Sequence, residues 1–207
     1  MGEPSIKACD RHSATRVTAE VYKAGVARIE KLMRRRTLAS RLLAQVSWGA
    51  KPMKELSESL AVFDVALDIA HARRWDRSDP AIRVVVVGDG HSPRTGALVA
   101  MSTGWQVTSV DPVLGHHGDH PVIERLKCLR GNIEAFPDLQ ADIVLAPHSH
   151  APADATRHVA RGGGHVITMP CCVVWPVMPW TLKQVSMVCM APDRTIYIER
   201  IIDNDVA

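Results

Sequence analysis

A chain of 207 residues, 46% hydrophobic and 23% charged, suits one sizeable α/β domain with an appendage better than two full domains, and those fractions are those of an ordinary soluble protein. Five cysteines and the charged start MGEPSIKACDRH, with no apolar signal-peptide core, argue against secretion and for reduced thiols in the cytoplasm. The net charge is only +3, yet residues 1–50 hold ten Lys and Arg against four Asp and Glu, so that segment carries +6 and the rest −3. The asymmetry suggests a polyanionic partner, RNA, contacted through Arg34, Arg35 and Arg36; the alternative is a solvated helix face.

In chain order, Val17, Val21, Ala24, Ile29 and Leu32 recur at helical spacing between Ser13, a suitable N-cap, and about Arg35. A second helix is expected over residues 37–46. A third, over 53–74, carries Leu56, Leu60, Phe63, Leu67 and Ala70 on one face. Asp79-Pro80 stops that pattern, so a basic helical segment, 1–78, is expected ahead of an α/β domain, 79–207.

Residues 82–87, IRVVVV, read as a strand buried on both faces, as in a parallel sheet. A helix over 93–103 and a strand over 105–110, ending in Asp111, follow. Residues 126–129 form a weaker strand and 141–146, ADIVLA, a clear one. A helix over 153–160 is expected to end at Gly162-Gly163-Gly164, before the strand HVITM. VSMVCM and TIYIERII, joined by APDR, read as an antiparallel hairpin. The expected fold is α/β: a doubly wound, mostly parallel sheet with a C-terminal antiparallel hairpin, preceded by an N-terminal helical segment. The apolar stretch 166–180 is too short for a membrane span and is broken by Pro170, Pro176 and Pro179.

The segment VVVVGDGHSPRTG places two glycines at the end of the first strand and a helix directly after it. Glycines there let the backbone turn sharply and a ligand approach closely, while the helix start offers free N–H groups. An acid ending the next strand, Asp111 in VTSVDP, can accept hydrogen bonds from both hydroxyls of a ribose. Together these point to a nucleoside-cofactor site at the carboxyl edge of the sheet. The third glycine of a nicotinamide fingerprint is misplaced, since five residues separate Gly90 from Gly96.

The glycine motif, the acid after the second strand and the antiparallel end resemble the class I S-adenosylmethionine-dependent methyltransferases, over roughly residues 82–202. GDG-x-x-PRTG ahead of W-x-x-x-SVDP is similar to an uncharacterised branch of that superfamily. The resemblance implies S-adenosylmethionine as cofactor. Gly88, Asp89 and Gly90 would line its methionine and ribose, Asp111 would hold the ribose hydroxyls, and Asn132 with Ile133 would contact adenine. His91, Pro112 and Pro147 complete the cofactor-binding set. The stretch between Asp111 and Leu126 is short for the family's usual helix there.

The carboxyl ends of the expected strands are rich in His and Cys: His91; His116, His117 and His120; His148 and His150; Cys171 and Cys172. His148 or His150 can serve as a general base, with Cys171 and Cys172 in the same catalytic group. Two imidazoles and two thiolates can instead hold zinc, although H-x-H and adjacent cysteines are unspecific spacings, and the cysteines can also be small core residues. Pro-Cys-Cys after the fifth strand looks like that of some tRNA 2′-O-methyltransferases. The Asn/Asp-Pro-Pro-aromatic motif of amino-methylating enzymes is absent, with APHS in its place. Trp175 and Trp180 can stack on a base or plug the sheet edge. The expected function is methyl transfer from S-adenosylmethionine to an acceptor such as RNA. The alternative is a non-catalytic fold of the same type that binds nucleic acid or protein, or a His/Cys metal-binding protein.

Overall fold

The computed structural model describes residues 18–35, 42, 51–170, 176, 178, 181–191 and 194–202. Helix α1 (Ala19–Met33) starts later than the periodicity suggests, because the Thr18 hydroxyl accepts the Val21 amide and caps it there. The helix expected over 37–46 lies outside the described residues, apart from the fully buried Leu42. Helix α2 (Pro52–Ala72) begins with a proline in its first turn and buries residues on every side from Leu56 to Phe63, including Ser57, Glu58 and Ser59.

The remaining elements are β1 (Arg83–Val87), α3 (Arg94–Ser102), β2 (Gln106–Asp111), β3 (Gly118–Asp119), β4 (Leu126–Arg130), a 3-10 turn (Ile133–Ala135), β5 (Ala141–Pro147), α4 (Ala153–His158), β6 (Ala160–Met169), β7 (Leu182–Val185) and β8 (Thr195–Arg200). The strands form one eight-stranded sheet in the order β3-β4-β2-β1-β5-β6-β8-β7. Strands β4, β2, β1, β5 and β6 are parallel, whereas β3 and β8 run against their neighbours β4 and β6. This is a doubly wound sheet with an antiparallel C-terminal end. From β1 the chain goes to β2 on one side and later to β5 on the other, which makes the β1 edge the topological switch point.

The valines of β1 alternate between the two faces. Val84 and Val86 join a core with α1, α2 and α3, and Val85 and Val87 join a second core with Val144, Val159 and Val166. The first core holds residues from both sides of residue 78, so α2 is a layer over this sheet, against α3, β5 and β6. On the other side of the sheet, Glu199 of β8, 1% exposed, accepts hydrogen bonds from Arg157 of α4 and from Thr181. Arg157 also donates to the Pro176 carbonyl. That cluster ties α4 and the approach to β7 onto the sheet. Among the described residues, no helix is long and apolar enough to cross a membrane.

Three details differ from the sequence reading. Gly162, Gly163 and Gly164 do not end a helix; they lie in β6, where the register with β5 shifts between Ala141 and Ile143 and Gly163 takes a φ of +77°. The first strand of the terminal hairpin is Leu182–Val185, not the VSMVCM segment, and Val185 pairs with Thr195. Residues after Val185 fold back onto the helices instead: the Ser57 hydroxyl accepts the Met190 amide, and Gly25 of α1 leaves room for Val188 and Met190. Between Asp111 and Leu126, a stretch short for a helix, the chain adds an edge strand absent from that reading, β3, braced by imidazoles.

His165 of β6 is buried beside Trp75, and the Nδ1 atom finds no partner. Burial, with the cations of Arg73 and Arg200 nearby, pushes it down to about 4. A histidine depressed in the folded state takes its proton first in the unfolded chain. Its contribution is therefore present above the ordinary value of 6.5 and is lost as pH falls toward about 4. Denaturant unfolding should show stability dropping from pH 7 to pH 4.5 by about 2 kcal/mol more in the wild type than in His165→Phe. Parallel pH profiles for the two proteins would contradict this.

Candidate functional site

The turn after β1 is set by two left-handed glycines, Gly88 at φ +79° and Gly90 at φ +77°. A side chain at Gly88 would lie 2.9 Å from the backbone and side chain of Ser149, so this glycine also lets the β5 loop close against β1. Between them, Asp89 turns inward. Its carboxylate accepts the Thr95 and Gly96 amides of α3 and the Ser109 hydroxyl of β2, each at 2.8 Å. Burial raises its pKa, and those donors oppose the shift. Asp111, at the end of β2, accepts the Gly90 amide through one oxygen and the Val113 amide through the other, each at 2.9 Å. A carboxylate has about four acceptor positions, so each oxygen of Asp111 retains one.

A cleft of about 400 Å³ opens at the carboxyl edge of the sheet, over the ends of β1, β2, β4 and β5. Gly88 forms its floor, Asp111 and Pro112 line one wall, and Asn132 and Ile133 line the end beyond β4. Asn132 makes no capping hydrogen bond with its side chain, and Ile133 supplies a buried apolar surface. The opposite wall is the loop after β5, with His148, Ser149 and His150. Gly88, Asp111, Pro112, Asn132 and Ile133 are thus brought together, with His148 and His150 across from them.

Asp89, Gly90, His91 and Pro147 do not line the cleft. Asp89 faces α3, Gly90 holds Asp111 through its amide, and the His91 ring meets the Val113 carbonyl at 3.1 Å. Pro147 pairs in register with Met169 inside the sheet. Cys171 and Cys172, as well as Trp175 and Trp180, lie outside the described residues. The imidazoles between β2 and β4 brace their own loop: His116 contacts the Asp119 carbonyl, His117 the Arg130 amide, and His120 the Val122 and Ile123 amides. Among the described residues no three His, Cys, Asp or Glu side chains group as a metal site. The thiols of Cys128 and Cys189 are buried and pushed up to about 11, which keeps them protonated.

His148 has a feature that sequence reasoning missed. Its backbone is left-handed, φ +54°, and its amide donates to the Met169 carbonyl. Its Nε2 comes to 2.5 Å from Oε1 of Glu58 on α2, and Lys54 Nζ approaches the same oxygen at 2.5 Å. Glu58 belongs to the run KELSESL, and its position opposite the β5 loop depends on how α2 lies across the sheet, which no local pattern encodes.

No family model and no curated protein sequence matches this chain. Solved structures with partial likeness include a putative sarcosine dimethylglycine methyltransferase from Galdieria sulphuraria, at 12% identity and TM-score 0.38 over 52% of this chain. The chain spans only 45% of that protein. A point mutant of MtNAS in complex with S-adenosylmethionine shares 13% identity over 87% of this chain and 77% of its own, at TM-score 0.46. A point mutant of the 16S rRNA (adenine(1408)-N(1))-methyltransferase from Catenulisporales acidiphilia shares 21% identity over 44% and 57%, at 0.36.

The two glycines of the turn separate backbone strain from crowding. Gly90→Ala meets open space and should cost only the left-handed penalty, about 1 kcal/mol, whereas Gly88→Ala adds the clash with Ser149 and should cost at least about 2 kcal/mol. Equal melting shifts for the two variants would contradict this packing.

Proposed function

We propose that the protein is an S-adenosylmethionine-dependent methyltransferase acting in the cytoplasm on an RNA acceptor. The observation that carries the reading is Asp111: a carboxylate at the end of β2, fixed by two backbone amides with acceptor positions left over, on the wall of a cleft at the switch point. The residues fit the group. Gly88 leaves the floor clear of a Cβ, Asp111 can take ribose hydroxyls, and Asn132 with Ile133 offers an amide and an apolar face suited to adenine. The bound cofactor would supply an electrophilic methyl group. His148, and His150 beside it, provide an imidazole across the cleft to take the acceptor's proton. Cys171 and Cys172, which follow β6 in the sequence, complete the proposed catalytic group.

The case for RNA rests on charge. Lys31, Arg34 and Arg35 at the end of α1 are exposed, and the first fifty residues carry +6. A phosphate-rich partner suits that excess.

Two measurements test this. Titration calorimetry with S-adenosylhomocysteine should show one-to-one binding that Asp111→Ala weakens by about 2 kcal/mol or more, through loss of charged hydrogen bonds in a protein that still melts cooperatively. Unchanged affinity would remove Asp111 from the site. Transfer of labelled methyl groups to unmodified RNA transcripts should accompany salt-dependent RNA binding, and neutralising Arg34, Arg35 and Arg36 should flatten that salt slope by roughly 2–3 units. An unchanged slope would make the α1 end a solvated face only.

A further inference from the structure

We infer that Glu58 is the positioning residue of His148, so that the two form a carboxylate–imidazole dyad across the cleft wall, with Lys54 as the counter-charge of Glu58. The inference rests on the methyl-transfer reading of the cleft and adds to it an element that the strand motifs do not contain, the N-terminal half of α2.

Four observations converge. Glu58 is 4% exposed in the stretch of α2, Leu56 to Phe63, that is buried on every side, a costly place for a carboxylate unless it has charged partners. Its Oε1 and the Nε2 of His148 are both buried and, among the described residues, without a regular hydrogen bond, yet Nε2 and Lys54 Nζ each lie 2.5 Å from that oxygen. The Nε2–Oε1 approach lies off the direction of a regular hydrogen bond, and at that distance the carboxylate is within reach of a proton carried on Nε2. His148 is one of three non-glycine residues described with positive φ, an unfavourable conformation that persists where the surroundings impose it. Here the strained backbone carries the ring to a helix that is distant in sequence while the residue still lines the cleft.

Elements of α2 and its neighbours hold Glu58 in place independently of His148. Ser57 is bonded to the Met190 amide, Ser59 to Thr95 of α3, and Glu55 to Arg94. The carboxylate is therefore presented from a rigid helix and not from a loop. With Nε2 engaged by Glu58, Nδ1 is the nitrogen left to act as base. An acceptor atom that bonds the incoming methyl carbon, as the carbon–sulfur pair returns to sulfur, loses its own proton to Nδ1, and Glu58 balances the resulting imidazolium. The site thereby suits an acceptor with a removable proton on the methylated atom, such as a hydroxyl.

Nitrogen NMR of the histidine-labelled wild-type protein tests the dyad directly. At pH 8, His148 is expected as a single tautomer, protonated at Nε2 and bare at Nδ1, with a downfield Nε2 proton. An imidazolium protonated on both nitrogens, the mark of a purely structural ion pair, would overturn the inference, as would an Nε2 proton with no hydrogen-bonded shift. Glu58→Gln should abolish the downfield signal and lower kcat for methyl transfer by about 10²-fold, with KM and S-adenosylhomocysteine affinity unchanged. His148→Asn, which tolerates the left-handed backbone, should give at least as large a loss. An unchanged kcat in Glu58→Gln would overturn the inference. Failure of the wild type to bind S-adenosylhomocysteine would instead sink the methyl-transfer reading and leave the NMR result to decide the dyad.

Discussion

Everything at the carboxyl edge depends on two carboxylates that hold one turn from opposite sides. Asp89 is buried with no cation paired to it among the described residues, a state tolerated because two amides at the start of α3 and the Ser109 hydroxyl all donate to it. Those bonds lock β1, β2 and α3 together. Asp111 then pulls the Gly90 amide toward β2 and leaves Gly88, with its left-handed φ, as the floor of the cleft. One acid builds the turn and the other uses it: Asp89 faces the protein interior, and Asp111 faces the space where a ligand fits.

The opposite wall depends on a different constraint. Glu58, buried on α2, needs charge partners, and His148 reaches it only from a backbone conformation that most residues avoid. The helices ahead of the sheet are therefore more than an appendage. α2 shares a core with β1 and β5, and its first turns are tied to α3 and to the loop after β7 by Ser59, Glu55 and Ser57. The exposed cations at the end of α1, Lys31, Arg34 and Arg35, make no part of the cleft.

The strands of the central sheet were legible because they are hydrophobic runs bounded by turn residues: RVVVV and ADIVLA could be little else. The glycines and Asp111 were legible because their chemistry is local, a backbone turn and an acid at a strand end. The direction of Asp89 was not, since neighbouring residues at a turn face opposite ways and only the position of α3 decides which. The Gly162–Gly164 run read as a helix stop because glycine signals a break; it is a break in strand register instead. VSMVCM has strand-like residues, yet Ser186 bonds the amides of Val188 and Cys189, which turns the chain toward α2. Glu58 could not be found by any motif, because its partner is far away in the chain and meets it only through tertiary packing.

The proposed nucleoside-cofactor site is the cleft bounded by Gly88, Asp111, Asn132 and His148. Amide chemical-shift mapping with S-adenosylhomocysteine tests it most directly. Saturable shifts are expected at Gly88, Gly131, Asn132, Ile133 and Ser149, with the amides of α1 unmoved. No shift at those residues under saturating ligand, or shifts confined to the helical face between α1 and α2, would contradict it.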